Sequence, residues 1–165
     1  MFSTSRPTRK NIRLPRDHYR DGHAFLVTIN THQRQPWFAD PGLAQAASAL
    51  LEQHRGLNAW CILPDHVHLL VEADDVLTWV QSFKGRLTPV FRELCPGQRL
   101  WQRSFHDRAL REEDGLREAA NSVWQNAVEA GLVRAAGDYR RPGSSVWPDW
   151  REWDENRGSL GSGSR

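Results

Sequence analysis

The order of secondary structure that the 165-residue sequence predicts is strand, helix, strand, strand, helix, strand, helix. Three kinds of signal predict it: runs of β-forming residues, apolar positions at helical spacing, and Gly, Pro or Asp at segment ends. The first six elements match the ferredoxin-like split βαβ pattern. We therefore predict an α+β fold with a central antiparallel sheet and an extra C-terminal helix.

The first predicted strand and helix occupy residues 24–56. Residues 24–31 (AFLVTINT) are rich in β-forming side chains and predict the strand. Asp40 followed by Pro41 is typical of a helix start, because Asp caps exposed backbone N–H groups and Pro suits the first helical position. Gly56 is expected to end this helix.

A hairpin is predicted next, formed by strands at residues 58–63 and 66–72 around a Pro64-Asp65 turn. Asp74 or Asp75 is expected to cap the second helix, and Pro89 is expected to kink or split it. Its predicted apolar stripe consists of Val76, Val80, Phe83, Leu87, Val90 and Leu94.

The remaining elements lie in the last third of the chain. Residues 99–110 predict an irregular segment followed by a fourth strand. A last helix is predicted from Leu116 to Ala130, with Gly131 as its stop.

The charge distribution divides the chain into three zones. Residues 1–20 hold six basic residues and one acidic residue, a net charge of +5, which predicts an arm that contacts phosphate backbones or, alternatively, a solvated tail. Residues 21–139 form the predicted domain. Residues 140–165, which end in a Gly/Ser-rich stretch and include Trp147, Trp150 and Trp153, predict a flexible tail. Its tryptophans either stack on unpaired bases or, as we favour, pack against the domain.

Several classes of protein are disfavoured by composition. No apolar run approaches the roughly 18–20 residues that span a bilayer, and the start shows no signal-peptide pattern, so we expect a cytoplasmic, nucleoid-associated protein without a membrane partner. Cys61 and Cys95 lie far apart, which fits reduced thiols better than a disulfide framework or a zinc site.

The third predicted strand carries the sharpest chemical signal, the motif His66-Val67-His68. Residues two apart share one face of a strand, so both imidazoles point the same way and can bind one divalent metal ion. Such an ion polarises a phosphate oxygen. The alternative is a chance His-x-His pair without a ligand.

A third metal ligand is expected from the last helix. Ser122 and Asn126 share one face at i, i+4 spacing, offset from the apolar positions. The amide oxygen of Asn126 is the candidate ligand, and a solvated helix residue is the alternative.

A series of short motifs runs in order along most of the chain, from about residue 12 to residue 145. It consists of residues 13–16 (RLPR), 27–31 (VTINT), 63–70 (LPDHVHLL), 83–86 (FKGR), 101–107 (WQRSFHD), Asn126 with 130–133 (AGLV), and 138–139 (DY). Together these motifs resemble those of the REP-associated tyrosine transposases, single-domain relatives of the HUH transposases of bacterial insertion sequences.

The resemblance implies a ferredoxin-like domain that binds single-stranded or hairpin-forming DNA and cuts one strand. It implies that His66 and His68 hold Mg²⁺ or Mn²⁺ and that Asn126 completes the metal site. It also implies a nucleophilic Tyr four residues before that Asn, which attacks a phosphodiester and forms a 5′-phosphotyrosine link.

The chain departs from this pattern at the nucleophile position, which is occupied by Ser122; Ala127 and Glu129 also replace the usual Pro and Arg. A phenol with a pKa near 10 forms a more stable leaving group than a serine hydroxyl, which is shorter and needs an activating base. We therefore expect loss of tyrosine-type cleavage, unless Tyr19 or Tyr139 substitutes. For Tyr139 we favour a packing role.

Three functional hypotheses follow. The first is a transposase-type protein that binds single-stranded or hairpin DNA, as a monomer or homodimer; the second is a domesticated DNA-binding module without cleavage. The third is a metal-dependent phosphodiesterase that uses water as nucleophile. The candidate phosphate-binding residues are Arg9, Lys10, Arg13, Arg16, Lys84, Arg86, Arg103 and Arg108.

Overall fold

A computed structural model describes residues 24–54, 56–110, 115–134, 139 and 141–153 of the chain. It contains a five-stranded antiparallel sheet with the strand order β4-β1-β3-β2-β5, which confirms the predicted α+β, ferredoxin-like arrangement and adds β5 at one edge. The predicted basic arm lies outside the described residues. The elements are β1 (Ala24–Asn30), α1 (Pro41–Glu52), β2 (Leu57–Leu63), β3 (His66–Glu72), α2 (Val76–Leu94), β4 (His106–Ala109), α3 (Leu116–Trp124), α4 (Asn126–Glu129) and β5 (Pro142–Gly143).

Helices α1 and α2 cover one face of the sheet. Asp40 caps α1 by accepting a hydrogen bond from the Leu43 backbone N–H, and Asp75 caps α2 in the same way from Thr78. The apolar residues of both helices pack on alternate residues of β1, β2 and β3, including Val27 and Val67. Burial of this apolar surface is the main force that holds the helices on the sheet.

Helix α2 extends across Pro89, which lies on its exposed side, as one continuous helix. Of the predicted kink or split, the split is therefore excluded. Leu94, which was predicted to belong to the apolar stripe, is 49% exposed at the end of the helix. No helix in the described ranges is both long and apolar enough to cross a membrane.

The opposite face of the sheet is covered in part by α3 and α4, which pack on β2 and β3. The single helix predicted from Leu116 to Ala130 was wrong, because the structure interrupts it at Gln125. The second core beneath these helices includes Cys61, Leu70 and Trp124. Ala127 of α4 packs in this core with Cys61 and Leu63, which are the register partners of His68 and His66.

The C-terminal segment belongs to the folded domain as far as residue 153, contrary to the tail predicted from residue 140. Pro142–Gly143 pairs with β2, and the Trp150 ring stacks on Trp124 at a centroid distance of 4.7 Å. A Cβ atom at Gly143 would lie 2.2 Å from the Trp60 ring, so only glycine allows this approach. The segment therefore packs against the second core, as was favoured for Trp147 and Trp150.

Candidate metal and nucleic-acid site

His66 and His68 lie on the face of β3 that α3 and α4 partly cover, because their alternating neighbours Val67 and Leu69 enter the first core. Each imidazole has a polar partner at Nδ1. His66 Nδ1 lies 2.8 Å from Asp65 Oδ1, and His68 Nδ1 lies 3.3 Å from Thr28 Oγ1 on β1. These contacts leave Nε2 of both rings as the nitrogen that can bind a ligand.

The protonation state of His68 suits a metal ligand. Burial, together with the positive charge of His66, lowers the pKa of His68 to about 4. The ring is therefore neutral near pH 7, which is the form that coordinates metal ions. Cys61 lies directly opposite His68 on β2, but burial raises its pKa to about 12, so it remains a thiol.

Asp65 is itself fixed by Arg34. The guanidinium lies 3.0 Å from Asp65 Oδ2 and donates a second hydrogen bond to Asn30 Oδ1 at 2.9 Å. Burial favours a higher pKa for Asp65, but the hydrogen bonds and positive charges of His66 and Arg34 outweigh it and lower the pKa. Asp65 is thus an ionised acceptor for the N–H group of His66.

The backbone that presents Arg34 is strained. Gln33 and Arg34 have φ angles of 53° and 55°, in the left-handed region that residues with a side chain rarely adopt. Strain of this kind tends to concentrate at functional sites. This geometry brings Arg34, which follows β1, back to the turn that precedes β3.

Asn126 offers an oxygen on the same face as the histidines. Its Nδ2 donates to the backbone oxygens of Ser122 and Val123, both at 3.1 Å, which leaves Oδ1 as the remaining acceptor of the amide. The next residue, Ala127, forms a backbone hydrogen bond with the Cys61 thiol. Since Cys61 is the cross-strand neighbour of His68, the start of α4 is anchored one strand away from that histidine.

The donor set fits a divalent metal ion. Two imidazoles and an amide oxygen suit Mn²⁺, and Mg²⁺ takes such oxygen donors together with phosphate and water. Within the described ranges there is no cluster of three or more His, Cys, Asp or Glu side chains that could hold a metal. Asn126 is the candidate for a third protein ligand. Bound there, an ion would supply charge to polarise a phosphate oxygen.

The predicted phosphate-binding residues are distributed over more than one surface. Lys84 and Arg103 line a common groove. Arg86 instead lines a cavity that also contains Glu72, Asp74 and Asp75. Arg108 is exposed on β4 opposite Leu26, on the histidine face of the sheet. The four residues of the arm, Arg9, Lys10, Arg13 and Arg16, lie outside the described residues.

The sequence matches the model of a protein family described as Transposase IS200 like. The match covers residues 24–112, which is more than half of the chain. The chain belongs to the IS200-like transposase family. The match spans β1 to β4 and therefore includes the histidine pair and its partners Thr28, Arg34 and Asp65.

Individual relatives agree with this family assignment. The REP-associated tyrosine transposase of Escherichia coli strain K12 is 25% identical over 134 residues, which cover 75% of this chain and 78% of the relative. A putative REP-associated tyrosine transposase of Haemophilus influenzae is 28% identical over 95 residues, or 49% of this chain and 54% of the relative.

A solved structure has the same fold. It is a REP-associated tyrosine transposase bound to a REP hairpin, with 22% sequence identity and a TM-score of 0.56 over 83% of this chain and 81% of that one. This IS200-like chain thus shares the architecture of the transposase.

The nucleophile position of the family resemblance carries a serine that is bound to its own helix. Ser122 is exposed, and its hydroxyl donates to the Ala119 backbone oxygen at 2.7 Å. Tyr139 is half-buried and donates to the Ile62 backbone oxygen at 2.8 Å, and burial raises its pKa. This packing role agrees with the one favoured from sequence, while Tyr19 lies outside the described residues.

Sequence reasoning missed the residues that support the histidines. Thr28, Arg34 and Asp65 contact the imidazoles or each other only because β1 pairs with β3 in one register. His106 was also missed: it pairs with Thr28 from β4, so it shares the face of His68 two strands away. Of these supporting residues, Asp65 directly precedes the histidine motif, and this adjacency was the one indication of a supporting residue in the local sequence.

Proposed function

We propose that this chain binds single-stranded or hairpin-forming DNA and holds Mg²⁺ or Mn²⁺ with His66, His68 and Asn126. The observation that carries the proposal is the pair of imidazoles on one face of β3 whose Nδ1 atoms both have protein partners. This is how histidines are oriented in metal sites. A structurally similar transposase is bound to a REP hairpin, which supports hairpin DNA as the class of ligand.

The basic residues support a nucleic-acid partner. We assign phosphate contacts to the exposed side chains of Arg103 and Arg108, to Lys84 and Arg86 on α2, and to the basic arm. The main candidates for phosphate contacts are the arm residues Arg9, Lys10, Arg13 and Arg16, because positive charge is most concentrated there. Phosphate contacts of this kind position a protein on DNA without specifying its sequence.

Strand cleavage of the tyrosine type is absent in this proposal. The step requires a phenol oxygen that attacks phosphorus, forms a phosphotyrosine ester and releases the 3′-hydroxyl of the other strand segment. The short hydroxyl of Ser122 is bound to Ala119 and has no phenolic acidity, so it is a poor replacement. The metal ion then serves to bind and orient a phosphate group.

One chain is sufficient to supply all the proposed ligands. The histidines come from β3 and the amide from α4 of the same chain, and α4 is anchored on the neighbouring strand through Cys61. We therefore propose that a monomer contains a complete metal site.

The test is an assay with a labelled hairpin oligonucleotide that carries single-stranded flanks, in the presence of Mn²⁺. The wild-type protein should bind the oligonucleotide, leave it uncut and form no covalent adduct on a denaturing gel. The Ser122→Tyr variant should form an adduct, and the variant that combines Ser122→Tyr with His66→Ala should lose it.

The other outcomes separate the rival functions. Absence of DNA binding by the wild type would overturn the proposal. An adduct formed by the wild type would show that Ser122, Tyr19 or Tyr139 acts as nucleophile. Metal-dependent cleavage without an adduct would favour a phosphodiesterase that uses water.

A further inference from the structure

A groove of about 370 Å³ lies between α2 and the segment that follows it. Lys84, Thr88 and Arg92 line it from one side of α2, where their spacing of four residues aligns them along the helix. Residues 98–103 form the other wall and add Arg99 and Arg103. Among the described residues that line the groove, four are basic and none is a carboxylate.

The walls of the groove are held together by hydrogen bonds that leave the arginines available. Lys84 Nζ donates to the Gln102 backbone oxygen at 2.9 Å, and Trp101 Nε1 donates to the Lys84 backbone oxygen at 3.3 Å. Arg92, Arg99 and Arg103 are exposed and form no ion pair with another described residue. A guanidinium presents a planar fork of donors that matches a phosphate group.

The groove adjoins the histidine end of the sheet. The Gln102 backbone N–H donates to the Asn30 backbone oxygen at 3.0 Å. Asn30 is in turn the register partner of His66, and paired strands lie roughly 4.8 Å apart. A DNA strand whose phosphate lies at the histidines would pass the end of the sheet at Gln102 to reach the groove on the α2 side.

From this placement we infer that the groove binds the phosphodiester backbone of a single-stranded DNA segment that flanks the hairpin. The inference rests on the proposed function and extends it, because it assigns Arg92 and Arg99 as phosphate-binding residues. Its chemistry is independent of base sequence, since guanidinium–phosphate contacts carry no sequence information. A groove with one row of cations on each wall suits one backbone rather than a duplex.

The test compares the wild type with the double variant Arg92→Gln and Arg99→Gln in fluorescence-polarisation titrations at several salt concentrations. For a hairpin with single-stranded flanks, the slope of log affinity against log salt should become shallower by about 1.4, because each lost single-strand phosphate contact removes roughly 0.7. For a blunt hairpin the slope should not change. The double variant Arg92→Lys and Arg99→Lys should restore most of the slope.

A matched control and an independent readout complete the test. The double variant Arg117→Gln and Arg134→Gln removes two exposed arginines elsewhere and should keep the wild-type slope. Mn²⁺ affinity, measured by calorimetry without DNA, should be the same in all variants.

The outcomes distinguish the inference from the proposed function. If the wild type binds DNA and the groove variant shows the same slope, the groove inference alone is overturned. An equal change of slope with the blunt hairpin overturns the assignment to a single strand and favours the duplex stem. If the wild type binds neither oligonucleotide, the proposed function itself fails.

Discussion

The carboxylate of Asp65 accepts a hydrogen bond from Nδ1 of His66 at 2.8 Å. Arg34 holds the second oxygen of the same carboxylate at 3.0 Å and also binds the side chain of Asn30. The result is a short polar chain from the end of β1 to the first histidine of β3. A carboxylate in this place fixes the imidazole tautomer and raises the basicity of the other ring nitrogen, the one that would bind a metal ion.

Removal of the Asp65 carboxylate should weaken metal binding. Partners of this kind are typically worth about 10- to 100-fold in metal affinity, so Asp65→Ala should weaken Mn²⁺ binding by this factor in calorimetry. Stability should change little, because the pair with exposed Arg34 is worth only about 0–1 kcal/mol. Asp74→Ala removes an exposed carboxylate beyond the end of β3 and serves as the control. Equal Mn²⁺ affinities in the two variants would contradict a positioning role for Asp65.

The amide oxygen of Asn126 gives a second prediction. Asn126→Ala should reduce Mn²⁺ affinity, whereas Asn126→Asp should keep or increase it, since a carboxylate is a stronger oxygen ligand than an amide. Ser122→Ala should leave the affinity unchanged, because the Ser122 hydroxyl is bound to Ala119 within its own helix. The measurement is again Mn²⁺ calorimetry. A loss of affinity in Ser122→Ala as large as in Asn126→Ala would show that helix packing, rather than coordination, is being measured.

The histidine pair was predictable from local sequence, while the supporting residues Thr28 and Arg34 were not. The bounds of β3 and the common face of His66 and His68 follow from alternation within seven residues. Thr28 reaches His68 through strand pairing, and Arg34 reaches Asp65 through a left-handed turn. Neither has a local sequence pattern that specifies its partner.

Long-range packing also explains where the fold differs from the one predicted from sequence. The pairing of Gly143 with Trp60 joins residues more than eighty positions apart, so composition alone suggested a flexible tail. The interruption at Gln125 was missed because the apolar spacing of Ala120, Val123 and Ala127 continues across it. Helical periodicity indicates which face of a helix is buried, but it does not indicate where the helix is interrupted.

Burial of the Cys61 thiol predicts a loss of stability at alkaline pH. Its pKa rises from 9.0 to about 12 on folding, so the unfolded state loses its proton first, and stability declines as the pH increases from 9 towards 12. Between pH 8 and pH 10.5 this group should cost about 2 kcal/mol, at 1.36 kcal/mol per pKa unit. Urea unfolding at both pH values should therefore show a larger loss in the wild type than in Cys61→Ala. The same loss in both proteins would mean that the thiol is exposed.

The contact between Gly143 and Trp60 predicts that the C-terminal segment stabilises the domain. In Gly143→Ala the new methyl group would overlap the indole ring, and overpacking of this kind typically costs about 1–3 kcal/mol. Gly85→Ala is the matched control, because a Cβ atom there meets no other atom and alanine favours the helix by roughly 0.5–1 kcal/mol. Thermal unfolding should show a lower midpoint for Gly143→Ala and an equal or higher one for Gly85→Ala. Tryptophan fluorescence of Gly143→Ala should also shift to longer wavelength, since β5 and the stacked Trp150 detach together. A wild-type midpoint and spectrum in Gly143→Ala would show that residues 142–153 do not pack on β2.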